Sequence, residues 1–166
     1  MKGNFDVYRK VMEFAHRYPG TIAWRLGAHC KVAGEHINSD EEVLYAFAAQ
    51  KGRSAFDIIS TYVVVITNKR LVVAQKRLFF GYFCYSITPE MFNDLTIEMG
   101  LIWGEVVIDT IKEVVVFSNL SRNSLFEIET VMSKYLMQKK RYYEPNLTEK
   151  ERINSGEELK AMYVGI

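Results

Sequence analysis

At 166 residues, 49% hydrophobic and 25% charged, the chain is long enough to bury a core and is too apolar for a disordered tail. Its net charge of +1 creates no field that would draw nucleic acid or a membrane to the whole molecule, so such a partner has to use a local patch. Two cysteines, Cys30 and Cys84, are too few for a disulfide framework and point to a reducing, cytoplasmic setting.

Residues 5–18 have helical spacing. Tyr8, Val11, Met12, Ala15 and Tyr18 share one face, with Arg9, Lys10, Glu13 and Arg17 opposite, and Pro19-Gly20 is the stop. The charged, amphipathic start is not a signal peptide, and no run approaches the roughly 18 apolar residues of a membrane span. In residues 21–37, Ile22, Trp24 and Leu26 alternate while Gly27 and Gly34 interrupt, which suits a second short helix or irregular packing.

After the polar break Ser39-Asp40-Glu41-Glu42, a first strand is expected over 43–50. Thr61–Thr67 and Leu71–Ala74 are apolar, β-branched runs joined by Asn68-Lys69, where asparagine tolerates a left-handed backbone; they predict a hairpin. A turn at Lys76-Arg77-Leu78 leads to a long aromatic strand over 79–87, ended by Thr88-Pro89. Strands around Leu95–Met99, Glu105–Asp109 and Glu113–Phe117 complete seven short segments at roughly ten-residue spacing, the pattern of an all-β sandwich or barrel.

The period then becomes helical. Leu125, Ile128, Met132 and Tyr135 form a stripe widened by Val131 and Leu136; Ser124 and Glu127 have capping-box spacing, and Ser121 with a Leu120/Leu125 staple is the competing start. Such a stripe has to lie on something apolar, and the open mouth of the preceding barrel is nearest. Beyond Gln138 the chain turns charged, with a last helix expected over 148–163.

Seven antiparallel strands followed by one capping helix is the pleckstrin-homology-like order. Val64-Val65-Ile66-Thr67-Asn68-Lys69-Arg70-Leu71-Val72-Val73 resembles the second-to-third strand hairpin of bacterial pleckstrin-homology-like domains, the YokE-like group. Ser86-Ile87-Thr88-Pro89 and Gly100-Leu101-Ile102-Trp103-Gly104 followed by Val106-Val107-Ile108 are similar too, and the resemblance covers about residues 38–137. It implies a non-enzymatic bacterial domain that binds or assembles. Eukaryotic relatives often bind phosphoinositides through a Lys…Lys/Arg-x-Arg arrangement. Here Lys51 and Arg53 lie in the matching loop, but the next strand offers Ser60, Tyr62 and Val64, so the arrangement is incomplete.

No reaction is named by the residues. His16, His29 and His36 all precede the barrel, and His29-Cys30 with His36 matches no zinc spacing. There is no Gly-rich phosphate loop and no nucleophile elbow, and Asp94, Glu98, Glu105 and Asp109 alternate outward on strands. The expectation is therefore no enzyme, no cofactor and no metal.

A surface is more promising. If loops alternate between two ends of an up-and-down meander, the first, third and fifth share one end. That end would gather Lys51 and Arg53; Lys76, Arg77, Leu78, Phe79 and Phe80; and Leu101, Ile102 and Trp103, mixing cations with large apolar side chains where turns usually carry small polar ones. Lys69 and Arg70 belong to the opposite end, roughly 17 Å away. Three roles compete: cover by the N-terminal helix, a protein contact or self-association, or a peripheral contact with anionic lipid. A free sheet edge offers another route, through an added peptide strand. The basic run Lys139-Lys140-Arg141 suits a helix C-terminus better than nucleic acid.

The resulting expectation is a helical extension (1–37), a seven-stranded antiparallel pleckstrin-homology-like barrel with its capping helix (38–138) and a charged, helical extension (139–166). The function is a binding or assembly module, with Lys51, Arg53, Lys76, Arg77, Phe79, Phe80 and Trp103 as the binding residues. Its partner is a protein or a second copy, with anionic lipid as the alternative, and neither nucleic acid nor a transmembrane segment is involved.

Overall fold

The computed structural model describes residues 2–53 and 57–142. The helix expected over 148–163 lies outside the described residues. Two helices, α1 (Lys2–Arg17) and α2 (Leu26–Glu35), precede β1 (Val43–Lys51), β2 (Thr61–Thr67), β3 (Leu71–Lys76) and β4 (Tyr82–Ile87). Then come β5 (Phe92–Met99), β6 (Trp103–Thr110), β7 (Val114–Ser121) and a long α3 (Leu125–Tyr142). The strands form one antiparallel sheet in the order β4-β3-β2-β1-β7-β6-β5, curled into a half-barrel whose free edges are β4 and β5.

Inside the curl, Phe47, Val64, Val73, Ile108 and Phe117 form one core. The α3 stripe, Leu125, Ile128, Val131, Met132 and Tyr135, is buried in that same core, so the helix plugs the mouth of the curl as its periodicity requires. Gly104 lets β6 pass beneath α3: a Cβ there would lie 2.3 Å from Leu125 Cδ1 and 2.6 Å from the Glu98 carbonyl oxygen. The helix does not start with a capping box. Ser124 Oγ donates instead to Ser121 O (2.7 Å), inside a single 3₁₀ turn, Arg122–Ser124.

Glu127 is used elsewhere. Its carboxylate accepts from the Tyr45 hydroxyl on β1 (2.6 Å), the Tyr18 hydroxyl (2.5 Å) and Arg17 Nη2 (2.7 Å). It thereby ties α3 to the sheet and to the end of α1. Burial and the neighbouring carboxylate push the Tyr18 hydroxyl up to about 12 and raise that of Tyr45 further.

The outer face of β1–β3 is buried as well. Val43, Ala46, Ala48, Val63, Val65 and Val72 pack under α1 and α2 with Val7, Val11 and Ala33. This explains why β2 is buried along its whole length: Val63-Val64-Val65-Ile66 faces a core on both sides. β6, covered on one side only, alternates between buried and half-buried residues. The buried face of α1 carries Val7, Val11 and Phe14, whereas Tyr8 and Met12 of the expected face are exposed, so the helix is rotated from the sequence reading. The two helices cross closely at Gly34, where a Cβ would meet Asn4 Cα at 2.5 Å.

β4 begins at Tyr82, three residues later than the expected strand. Arg77 N–H donates to Gly81 O, and Gly81 adopts φ +76°, so Leu78, Phe79 and Phe80 form the tip of a loop. At the other end of β3, Thr67 and Arg70 close the Asn68-Lys69 turn; Arg70 is paired with the buried Glu41 (2.9 Å) and Lys69 with Asp40. Among the described residues, no helix is long and apolar enough to cross a membrane.

Candidate functional site

The segment between α1 and α2 is a strap across the strands. From β6, Trp103 Nε1 donates to Gly20 O (2.9 Å), and from β7 the Ser121 N–H donates to Thr21 Oγ1 (3.0 Å). Ile22 N–H then donates to Asn119 O (3.0 Å), at a bulge where Asn119 adopts φ +55°, as asparagine tolerates. Trp24 N–H donates to Thr61 Oγ1 on β2 (3.1 Å), and the Arg25 guanidinium reaches Arg77 O beyond β3 (3.4 Å). The crossing ends at Arg25, which adopts φ +53°, and Leu26 already opens α2, so the second short helix is present while Ala23 packs inward and Trp24 stays exposed.

Where the strap meets the β3–β4 loop, apolar and cationic side chains collect into a lip. Phe79 and Phe80 are 81% and 88% exposed. Arg77 lies over the Phe83 ring (3.9 Å) and Arg25 over the Trp24 ring (5.4 Å). Ile58 and Ile59 join them from the β1–β2 connection: Thr61 Oγ1 donates to Ile58 O (2.8 Å) and Gln75 Nε2 to Ile59 O (2.6 Å). Trp24, Ile58, Ile59 and Phe83 are all exposed. Sequence reasoning placed Lys76, Arg77, Phe79 and Phe80 here and missed these four, together with Arg25. The adjacent isoleucines in a connection were the available signal.

His29 braces the lip from below. It is buried, and its Nδ1 accepts from Lys76 N–H (2.8 Å), so the neutral ring carries its hydrogen on Nε2. Burial, reinforced by Arg25, pushes its pKa down to about 4. Cys30 is buried beside it, with a thiol pushed up to about 12 by desolvation, which makes it unreactive. Among the described residues, no three His, Cys, Asp or Glu side chains gather in a way that could hold a metal ion.

The remaining nominated residues stand apart. Lys51 packs over the rings of Tyr85 (4.7 Å) and Tyr62 (6.0 Å) and faces Glu113 at 4.0 Å. Arg53 is paired with Glu98 (2.9 Å) and Glu105 (3.5 Å). Both cations of the would-be headgroup loop are thus matched by carboxylates of β5–β7 and their turns.

Trp103 is half-buried on the Leu101-Ile102 hairpin, four interstrand steps from the β3–β4 loop along the sheet, or about 19 Å. The expectation that the first, third and fifth loops share one end therefore fails. β7 is antiparallel to β1, and that pairing runs β5 in the direction of β4, which inverts the alternation of loops across the unpaired β4–β5 seam.

The sequence matches the family of bacterial PH domains over residues 37–134, more than half of the chain. The chain belongs to the bacterial PH domain family. No curated protein matches it significantly. Among solved structures, this PH domain is similar to a DUF1696-family protein with a pleckstrin-homology domain from Shewanella loihica PV-4. The two share 16% identity and a TM-score of 0.42, over 62% of this chain and 88% of that one.

Proposed function

We infer that this PH-like domain is a non-catalytic binding or assembly module of the cytoplasm, and that the lip is its contact surface for a protein partner or a second copy. One observation carries the reading: two adjacent phenylalanines stand almost fully in water at a glycine-closed turn that begins at Arg77, whose carbonyl Arg25 reaches. A large exposed apolar patch of this kind marks an interaction site more often than it marks a random surface. Aromatic residues and arginine are also the residue types that dominate protein contacts.

Peripheral binding to anionic lipid is the second reading, favoured by the same mixture of rings and cations. Three cations, Arg25, Lys76 and Arg77, would contribute about 1 kcal/mol each, a weak anchor without the already matched Lys51 and Arg53.

Sedimentation velocity over a wide concentration range, with wild type and the double variant Phe79→Ser/Phe80→Ser, tests the first reading. Co-sedimentation with phosphatidylserine vesicles at low and high salt tests the second. Concentration-dependent association lost in the double variant supports a protein contact; salt-sensitive pelleting lost in that variant supports lipid. A double variant that matches wild type in both assays and in partner binding removes the lip from consideration.

A further inference from the structure

The two free edges of the sheet are built differently. β5, Phe92–Met99, carries Asp94 and Glu98, breaks register with β6 between Phe92 and Asp94, and has α3 packed beside it. Charges, irregular pairing and a covering helix are the devices by which proteins blunt an exposed edge. β4, Tyr82–Ile87, lacks the first two: its sequence Tyr-Phe-Cys-Tyr-Ser-Ile contains no charge and no proline, and it pairs with β3 without a register break, while α2 meets its outer face at Cys84 and the exposed part of the strand is Tyr82 and Phe83. Every second residue of β4 turns its N–H and C=O away from β3, and among the described residues no other strand meets them.

Both faces beside this edge offer apolar contact. Phe83 is exposed on the face shared with Gln75, and Tyr82 is exposed on the other, its ring edge-on to His36. Towards Ile87 the edge looks across a cleft of about 140 Å³ to Thr110 and Lys112.

Among the described residues, the charge at the start of the edge is unmatched: Arg25, Lys76 and Arg77 enter no ion pair, whereas Lys51 faces Glu113 and Arg70 holds Glu41. A second copy adding its own β4 would bring no carboxylate in that strand. We propose that the β4 edge accepts an extended, acidic peptide segment as an added strand, its carboxylates at the Arg25–Lys76–Arg77 end and its apolar side chains against Tyr82 and Phe83. This rests on the reading of the lip as the contact surface and names the chemistry of the partner.

The test is a random peptide library displayed on phage, panned against the full chain. Enriched peptides alternate apolar residues with Asp or Glu. A synthetic copy of one binds in fluorescence anisotropy, slows hydrogen exchange of the β4 amides, and is weakened about tenfold or more by Arg77→Glu and by Arg25→Glu. Absence of enrichment, enrichment without carboxylates, or equal binding by both charge variants overturns the proposal. If Phe79→Ser/Phe80→Ser abolishes self-association or vesicle binding while the library stays unenriched, the lip remains the contact surface and only the added strand falls. If that double variant changes nothing in any assay, both fall.

Discussion

Removing the Glu127 carboxylate should loosen the tie between α3, β1 and the end of α1, while Val7, Val11 and Phe14 keep α1 on the sheet. The side chain is 16% exposed and receives three donors, from Arg17, Tyr18 and Tyr45. A hydrogen bond to a charged group contributes about 1.5–3 kcal/mol net, and breaking a buried pair costs about 3–5 kcal/mol. Arg17 keeps much of its contact with water, so its share is small. We therefore expect Glu127→Ala to cost about 3–4 kcal/mol. Glu127→Gln, which keeps one acceptor oxygen, should cost about 1–2 kcal/mol. Urea unfolding followed by circular dichroism and by Trp24 and Trp103 fluorescence measures both. In a double-mutant cycle with Tyr45→Phe, the coupling should be about 1–2 kcal/mol. An alanine variant within about 0.5 kcal/mol of wild type would refute the claim that this carboxylate joins the three elements.

Four other outcomes follow from the same geometry. The folded His29 has a pKa of about 4, below the ordinary 6.5, so as pH falls the unfolded chain takes up its proton first. Stability should drop by at most about 3 kcal/mol between pH 6.5 and 4 and level off below, and His29→Gln should flatten that part of the pH profile relative to wild type. Phe79→Ser/Phe80→Ser should leave the urea midpoint within about 0.5 kcal/mol of wild type, since both rings are in water; a larger loss would mean they are packed. Trp103→Ser should cost about 2 kcal/mol, through the lost bond to Gly20 and the half-buried ring, while leaving binding at the lip intact; loss of lip binding in a folded variant would show that the two hairpins act together. Gly104→Ala should destabilise by about 1–3 kcal/mol because its methyl group falls on Leu125 and the β5 backbone; an unchanged thermal midpoint would contradict the close passage of β6 beneath α3.

Much of the architecture could be read locally. The Val63–Ile66 and Leu71–Ala74 runs and the Leu125–Tyr135 stripe each state their own conformation through side-chain shape and spacing, and they became β2, β3 and α3. The turn falls at Asn68-Lys69 as expected, but Asn68 does not take the left-handed backbone; Thr67 Oγ1 accepts from the Lys69 and Arg70 N–H groups instead. Phe79 and Phe80 also stood out, because large apolar residues beside a turn are unusual, but the sequence put them at the start of a strand and left open whether the N-terminal helix covers them; the fold decided their exposure. The site was legible only in that part. Trp24, Arg25, Ile58 and Ile59 come to the lip from two other connections, and nothing in their spacing says that the strap crosses β2 and ends at Arg77.

Tertiary structure alone decided which loops are neighbours, which face of α1 is buried, and what Glu127 does. The reason is physical. Residue periodicity reports only that a face is buried, whereas the direction of β5–β7 depends on β7 pairing antiparallel with β1, a contact between residues far apart in the chain. Carboxylate partners are non-local in the same way: Glu127 had the spacing of a helix cap but found stronger donors in Tyr45 and Tyr18, which only the folded chain brings within reach.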